Sequence, residues 1–146
     1  MAPSLESVLP PPPANVLDLG CGHGALCLTL AEQGYRCVGI DIAAGNVTLA
    51  RKAAESRGLD VQFFAADIIQ ALHLVQGQQF DVIVLTEVLH MMPNWSEVLS
   101  ECASCLPRAG TLIVEDSQIA LCALQERLPD LEYFVTRHPY HAFKRK

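Results

Sequence analysis

The stretch Val16-Leu17-Asp18-Leu19-Gly20-Cys21-Gly22-His23-Gly24 decides how the rest of the chain is read. Residues 16–19 have the character of a buried strand, and glycines at every second position follow before a helical pattern begins at residue 25. Glycine in such a loop lets a ligand approach the backbone, and the free N–H groups of the following helix favour an anionic group. Taken alone, the pattern also fits plain turn chemistry, so the residues around it carry the decision.

Outward from this loop, strand-like runs alternate with segments of helical period. Strands are expected over 16–19, 36–40, 61–65, 80–85 and 111–114, and helices over 25–33, 45–57, 69–74, 95–106 and 117–128. Gly34 and Gly58 stand where helix-ending glycines belong. Strict alternation implies a parallel sheet covered by helices on both faces. Two extended runs, 132–137 and 141–145, are separated by His138-Pro139-Tyr140, which predicts a terminal antiparallel hairpin. Pro10 to Pro13 cannot lie inside a helix, so residues 1–14 read as a proline-rich lead-in and residues 15–146 as one domain.

Composition narrows the class. With 146 residues, 51% of them apolar, the chain can bury one core without staples. Its net charge is −6, and four of its ten basic residues (Arg137, Lys144, Arg145, Lys146) fall in the last ten positions, which argues against a nucleic-acid footprint. Six cysteines without a recognisable signal peptide read as reduced thiols of a cytoplasmic protein. No apolar run reaches membrane-spanning length. Cys102 and Cys105 form a CxxC pattern, but Val98, Cys102, Cys105 and Leu106 fall on one helical stripe, so both thiols are expected in the core and no metal is expected.

Two acids qualify the glycine loop. Asp41 ends the next strand, 17 residues beyond Gly24, where a carboxylate can take hydrogen bonds from ribose hydroxyls or cap the following helix. Asp18 precedes the first glycine by two residues; a carboxylate there repels a pyrophosphate and suits a cofactor bearing an ammonium and a sulfonium.

At this point the chain resembles the class I, Rossmann-like methyltransferases that use S-adenosyl-L-methionine. Residues 16–24 are similar to that family's first motif, and Val38-Gly39-Ile40-Asp41-Ile42-Ala43 to its second. Phe64-Ala65-Ala66-Asp67-Ile68 resembles the third, the run from Phe80 to His90 the fourth, and the run from Leu106 to Val114 the fifth. Ala109 stands where the family usually has a glycine, with no consequence expected for the cofactor. The resemblance implies a doubly wound, mostly parallel seven-stranded sheet with a C-terminal antiparallel hairpin. It places Asp18, Gly20 and Gly22 at the methionine part of the cofactor, Asp41 at the ribose, Ile42 at the adenine face, Asp67 and Ile68 at the adenine edge, and Thr86 and Glu87 beside them.

Methyl transfer from a sulfonium relies on alignment and exclusion of water, and needs a base only where the acceptor is protonated at neutral pH. His90, after the fourth strand, is the candidate base, with a helix-start or packing role as the alternative. Met91, Met92 and Trp95 are candidates for an apolar acceptor pocket or for the core, and His138, Tyr140 and His141 lie near the acceptor region if the hairpin closes the sheet. The run Val88-Leu89-His90 looks like the ubiquinone-biosynthesis type of small-molecule methyltransferase, which implies a small-molecule acceptor. A tRNA methyltransferase, a cofactor-binding module without turnover, and an NAD-linked oxidoreductase remain as alternatives. The short lead-in predicts association, most simply a homodimer, to cover the cleft.

Overall fold

A computed structural model of the chain describes residues 5–75, 77–137 and 140–146, with the side chains of residues 6 and 134–137 excepted. Seven strands run among these residues: β1 (Asn15–Leu19), β2 (Arg36–Asp41), β3 (Gln62–Ala65), β4 (Val82–Thr86), β5 (Thr111–Glu115), β6 (Leu131–Arg137) and β7 (Tyr140–Arg145). Five helices connect them: α1 (Ala25–Glu32), α2 (Ala44–Ser56), α3 (Ile68–Leu74), α4 (Trp95–Cys105) and α5 (Leu121–Arg127). The strands form one sheet in the order β3-β2-β1-β4-β5-β7-β6. The first five are mutually parallel, while β7 runs antiparallel to both β5 and β6.

The alternating side chains of β1 divide the core. Leu17 and Leu19 pack with α3, α4 and α5 through Ile68, Leu72, Val98, Leu99, Cys102 and Leu124. Val16 packs on the other face with α1 and α2 through Cys27, Leu28, Leu30, Val47 and Ala50. A central parallel strand between two helical layers buries both faces, which explains its near-continuous apolar sequence. The CxxC falls as its helical stripe requires: Val98 and Cys102 are buried, and the Cys105 thiol, half-buried, donates to the Leu72 carbonyl at 3.6 Å.

The described part of the lead-in is docked on the second core: Leu5, Val8 and Ala14 are buried there, a 3-10 turn covers Leu5–Ser7, and the Tyr35 hydroxyl donates to the Pro10 carbonyl at 2.6 Å. The physical reason lies in the apolar pair Leu5 and Val8, one turn apart, which gives the segment a face to bury. The fifth helix is shorter than expected. It begins at Leu121, after a turn in which Ser117 and Gln118 give their backbone N–H groups to the Glu87 and Asp116 carboxylates. Ala109 lies at φ 65, in the left-handed region that glycine tolerates. Its place in the family motif therefore does have a consequence, for the backbone of the turn into β5.

Candidate functional site

Strand order reverses between β1 and β4, since β2 and β3 lie on one side and β5 on the other. Connections leaving the carboxyl ends of β1 and β4 therefore diverge and open a crevice, the usual ligand site of doubly wound sheets. A cleft of about 590 Å³ occupies that place, lined from successive strand ends by Gly20, by Asp41, Ile42, Ala43 and Asn46, by Asp67 and Ile68, by Thr86, Glu87 and Val88, and by Met91 to Asn94. Of the nine residues predicted to face a cofactor, seven line it: Gly20, Asp41, Ile42, Asp67, Ile68, Thr86 and Glu87.

Gly20 has φ +81, and a Cβ there would stand 2.8 Å from Cγ2 of Val88, so a larger residue would wedge the loops after β1 and β4 apart. The Asp41 carboxylate accepts from Gly22 N at 2.8 Å, from Ala43 N at 2.8 Å and from Asn46 Nδ2 at 3.4 Å. It thus ties the glycine loop to the start of α2 and keeps acceptor capacity for a ligand hydroxyl. Gly22 lies outside the cleft lining and is engaged through this bond. Asp67 caps α3 through Oδ1, which accepts from Ile69 N at 3.0 Å and Gln70 N at 3.3 Å. Beside these acids Ile42 presents an apolar side chain that is 75% exposed, a free face for a planar ring.

Asp18 does not face the cleft. Along β1 it shares the side of Val16, under α1, where it is 2% exposed. Its Oδ2 accepts only a thiol donor, Cys27 Sγ at 3.7 Å, and its Oδ1 is buried with no hydrogen-bond partner. Burial pushes its carboxyl up to about 7, with Asp41 adding to the rise and the Cys27 thiol opposing it. Burial and the neighbouring carboxylates Asp18 and Asp41 likewise push the Cys21 thiol up to about 12, and the Cys27 thiol is raised by its hydrogen bond with Cys37, by burial and by Asp18. Neither thiol is a nucleophile at neutral pH.

Behind the cleft stands a grouping that sequence reasoning only half anticipated. His90 lies in the short turn Leu89–Met91 and is absent from the cleft lining, although its neighbours Met91 and Met92 line it. Its Nδ1 lies 3.0 Å from Oδ2 and 3.2 Å from Oδ1 of Asp116, whose side chain is fully buried. Asp116 also accepts from His90 N at 3.0 Å and Gln118 N at 3.0 Å. Burial alone would raise the Asp116 carboxyl, but these bonds and the imidazole together hold it below the usual carboxylate range. An ionised carboxylate only accepts, so Nδ1 is the donor in this pair, and the lone pair of the neutral ring lies on Nε2.

Glu87 has φ 51 and spends its carboxylate on Ser117, accepting from N at 2.9 Å and from Oγ at 3.2 Å, so it latches the loop after β4 to the loop after β5. Strained backbone of this kind persists where surrounding bonds over-determine it. Glu87, His90 and Asp116 bring ligand atoms within 4.8 Å of one another, the one such group among the described residues. A cation there would have to displace the ring proton that joins His90 to Asp116. Trp95, partly buried, packs against the first core beneath the Arg127 guanidinium at 5.1 Å. Of the hairpin candidates, Tyr140 packs against the second core and His141 pairs with Val114 in β7, outside the cleft lining, and His138 lies outside the described residues. No helix is long and apolar enough to cross a membrane among the described residues.

Comparisons with known proteins agree with this geometry. The ubiquinone biosynthesis O-methyltransferase of Chelativorans sp. (strain BNC1) is 33% identical over 119 residues, covering 82% of this chain and 46% of that protein. The chain spans about half the length of the curated relatives it matches. Magnesium protoporphyrin IX methyltransferase from Synechocystis PCC 6803, solved with bound SAM, superposes with TM-score 0.75 at 23% identity over 92% of this chain and 71% of its own. The cyclase SpnF superposes with TM-score 0.72 at 23% identity, covering 84% of this chain and 53% of its own, so the fold by itself does not dictate methyl transfer. A family model described as "Methyltransferase domain" matches residues 12–142, and the chain belongs to that family, the class I methyltransferases whose cofactor is S-adenosyl-L-methionine.

Proposed function

We propose that the chain transfers a methyl group from S-adenosyl-L-methionine to a hydroxyl of a small-molecule acceptor, with His90 as general base and Asp116 as the residue that positions it. The observation that carries this reading is the bond between His90 Nδ1 and the buried, ionised Asp116 beside a cleft at the sheet's switch point. Nucleophilic attack by a protonated hydroxyl needs a base, and an imidazole held through Nδ1 by Asp116 leaves Nε2 to take that proton. The names of the relatives, O-methyltransferases of ubiquinone biosynthesis, support a hydroxyl acceptor.

The cofactor, when bound, supplies an electrophilic methyl on a sulfonium. The protein's own residues do the rest. Gly20 and Gly22 give the amino-acid part access to the backbone, Asp41 accepts from the ribose, Ile42 covers the adenine face, and Asp67 with Ile68 meets the adenine edge. Thr86 and Glu87 close the floor at the end of β4. Met91, Met92 and Pro93 form an apolar wall that removes water from an aromatic acceptor and brings its hydroxyl towards His90. Ile42 at 75% and Met91 at 66% exposure leave the rim apolar and open, a surface for the acceptor and for a second copy of the chain.

Titration calorimetry with S-adenosylmethionine, followed by transfer of a tritiated methyl into a cell extract separated into small metabolites and RNA, tests the proposal. Binding with label in an organic-soluble product is expected. Binding without labelled product would favour a module without turnover, label in RNA would favour the tRNA alternative, and no binding would refute the cofactor assignment.

A further inference from the structure

Asp18 is a carboxyl group with nothing to stabilise its charge. Its Oδ1 is buried without a hydrogen-bond partner, and its Oδ2 meets only a thiol. The titratable groups facing it are Cys27 from α1, Cys21 from the glycine loop and Asp41 from β2, with Cys37 of β2 behind Cys27; its register neighbours, Gly39 on β2 and Val84 on β4, carry no charge. No ion pair among the described residues reaches it. An ionised carboxylate so enclosed costs several kcal/mol, which the group avoids by holding a proton. Yet Asp18 lies two residues before Gly20, which lines the cleft.

We propose that Asp18 is a neutral carboxylic acid in the cofactor-free chain and gives up its proton when the cofactor binds, so that cofactor capture is coupled to proton release. This rests on the reading that the loop around Gly20 holds the amino-acid end of S-adenosylmethionine. That end carries an ammonium and adjoins a sulfonium, and positive charge arriving in a poorly solvated site favours the carboxylate over the acid. The step is one ionisation: the carboxyl O–H bond breaks heterolytically, the electron pair stays on Asp18, and the proton goes to solvent. Neither thiol can take the proton's place in the balance, since Cys21 and Cys27 are themselves protonated. Affinity for the cofactor therefore rises with pH, up to about tenfold per pH unit while Asp18 is protonated in the free chain, and levels off once it is already ionised.

The experiment is calorimetry with S-adenosylhomocysteine, which keeps the ammonium and does not react, in phosphate and in imidazole across a series of pH values. The difference between the buffers counts protons. Release approaching about one proton per cofactor is expected near pH 6, falling towards zero above about pH 8. Asp18→Asn, which mimics the neutral acid, should still bind while releasing none. Binding by the native chain without proton release near pH 6 overturns the proposal and leaves the cofactor site standing; absence of binding overturns both. Proton release that survives in Asp18→Asn also overturns it. Should that variant fail to fold, carbon NMR of the native chain labelled at aspartate carboxyls decides: a resonance in the protonated range must move to the ionised range on adding S-adenosylhomocysteine, and an unmoved spectrum contradicts the proposal.

Discussion

His90 and Asp116 stand 26 residues apart in the chain, yet the histidine gives the same buried carboxylate both its backbone N–H and its Nδ1, each at 3.0 Å. The two bonds fix ring and turn together, because a rotation that frees the imidazole also strands a buried charge. Removing the ring and removing its anchor should therefore have separable effects. His90→Ala is expected to lower kcat by roughly 10² to 10⁴ with cofactor affinity unchanged, the range for loss of a general base. Asp116→Asn should lower kcat less, shift the pH profile of kcat, and cost roughly 1 to 3 kcal/mol of stability through its lost charge-assisted bonds. Steady-state kinetics against pH, alongside denaturant unfolding, separates the two. An unchanged kcat in His90→Ala would return His90 to a packing role.

Asp18 predicts an unusual pH dependence of stability. Its folded value, about 7, lies above the ordinary aspartate value of 3.8, so between these two values the native state holds a proton that the unfolded state has lost. Stability in that window falls as pH rises, and above about pH 7 the loss is on the order of 4 kcal/mol. Asp116 acts in the opposite sense: its lowered value contributes stability at neutral pH that is lost as pH falls below the ordinary carboxylate range. Urea unfolding at pH 5 and pH 8 should show Asp18→Asn gaining on the native chain at the higher pH. Equal differences at both would mean that Asp18 is already ionised in the folded chain.

Asp41→Ala should weaken binding of S-adenosylmethionine by roughly 1 to 3 kcal/mol, since it removes ribose acceptors together with the tie to Gly22 N. Calorimetry gives the value directly. A loss confined to thermal stability would assign Asp41 to holding Ala43 N and Asn46 alone.

Ala109→Gly should stabilise the chain by about 1 kcal/mol, because Ala109 sits at φ 65 and the left-handed conformation penalises a Cβ. Its backbone bond to the Arg145 carbonyl at 3.0 Å is kept. A rise in melting temperature with unaltered cofactor affinity is the expected outcome.

What could be read beforehand follows from chain direction. Gly20, Asp41, Asp67, Thr86 and Glu87 all stand at carboxyl ends of parallel strands, and linear order alone brings such ends to one edge. The side on which a residue points was harder. Alternation along Asn15–Leu19 puts Asp18 on the side of Val16, under α1 and outside the cleft lining. Asp116 was missed because nothing local marks it: it follows the end of β5 by one residue and gains its role only through the turn carrying His90. The expectation for α5 was overlong because residues 117 and 118 belong to a turn tied to Glu87 and Asp116, which are distant or non-periodic in the sequence pattern. Leu5 and Val8 form too short an apolar pair, ahead of four prolines, to signal by periodicity that they dock on the second core.

The most direct test of the account is transfer of a labelled methyl from S-adenosylmethionine to a panel of small phenols and catechols, with a chelator present, by the native chain and by His90→Ala. The account predicts a labelled methyl ether from at least one acceptor with the native chain, formed independently of divalent metal, and its loss by at least about a hundredfold in His90→Ala while cofactor binding persists. Methyl ether formed equally by both proteins, or formed only when metal is restored, would contradict it.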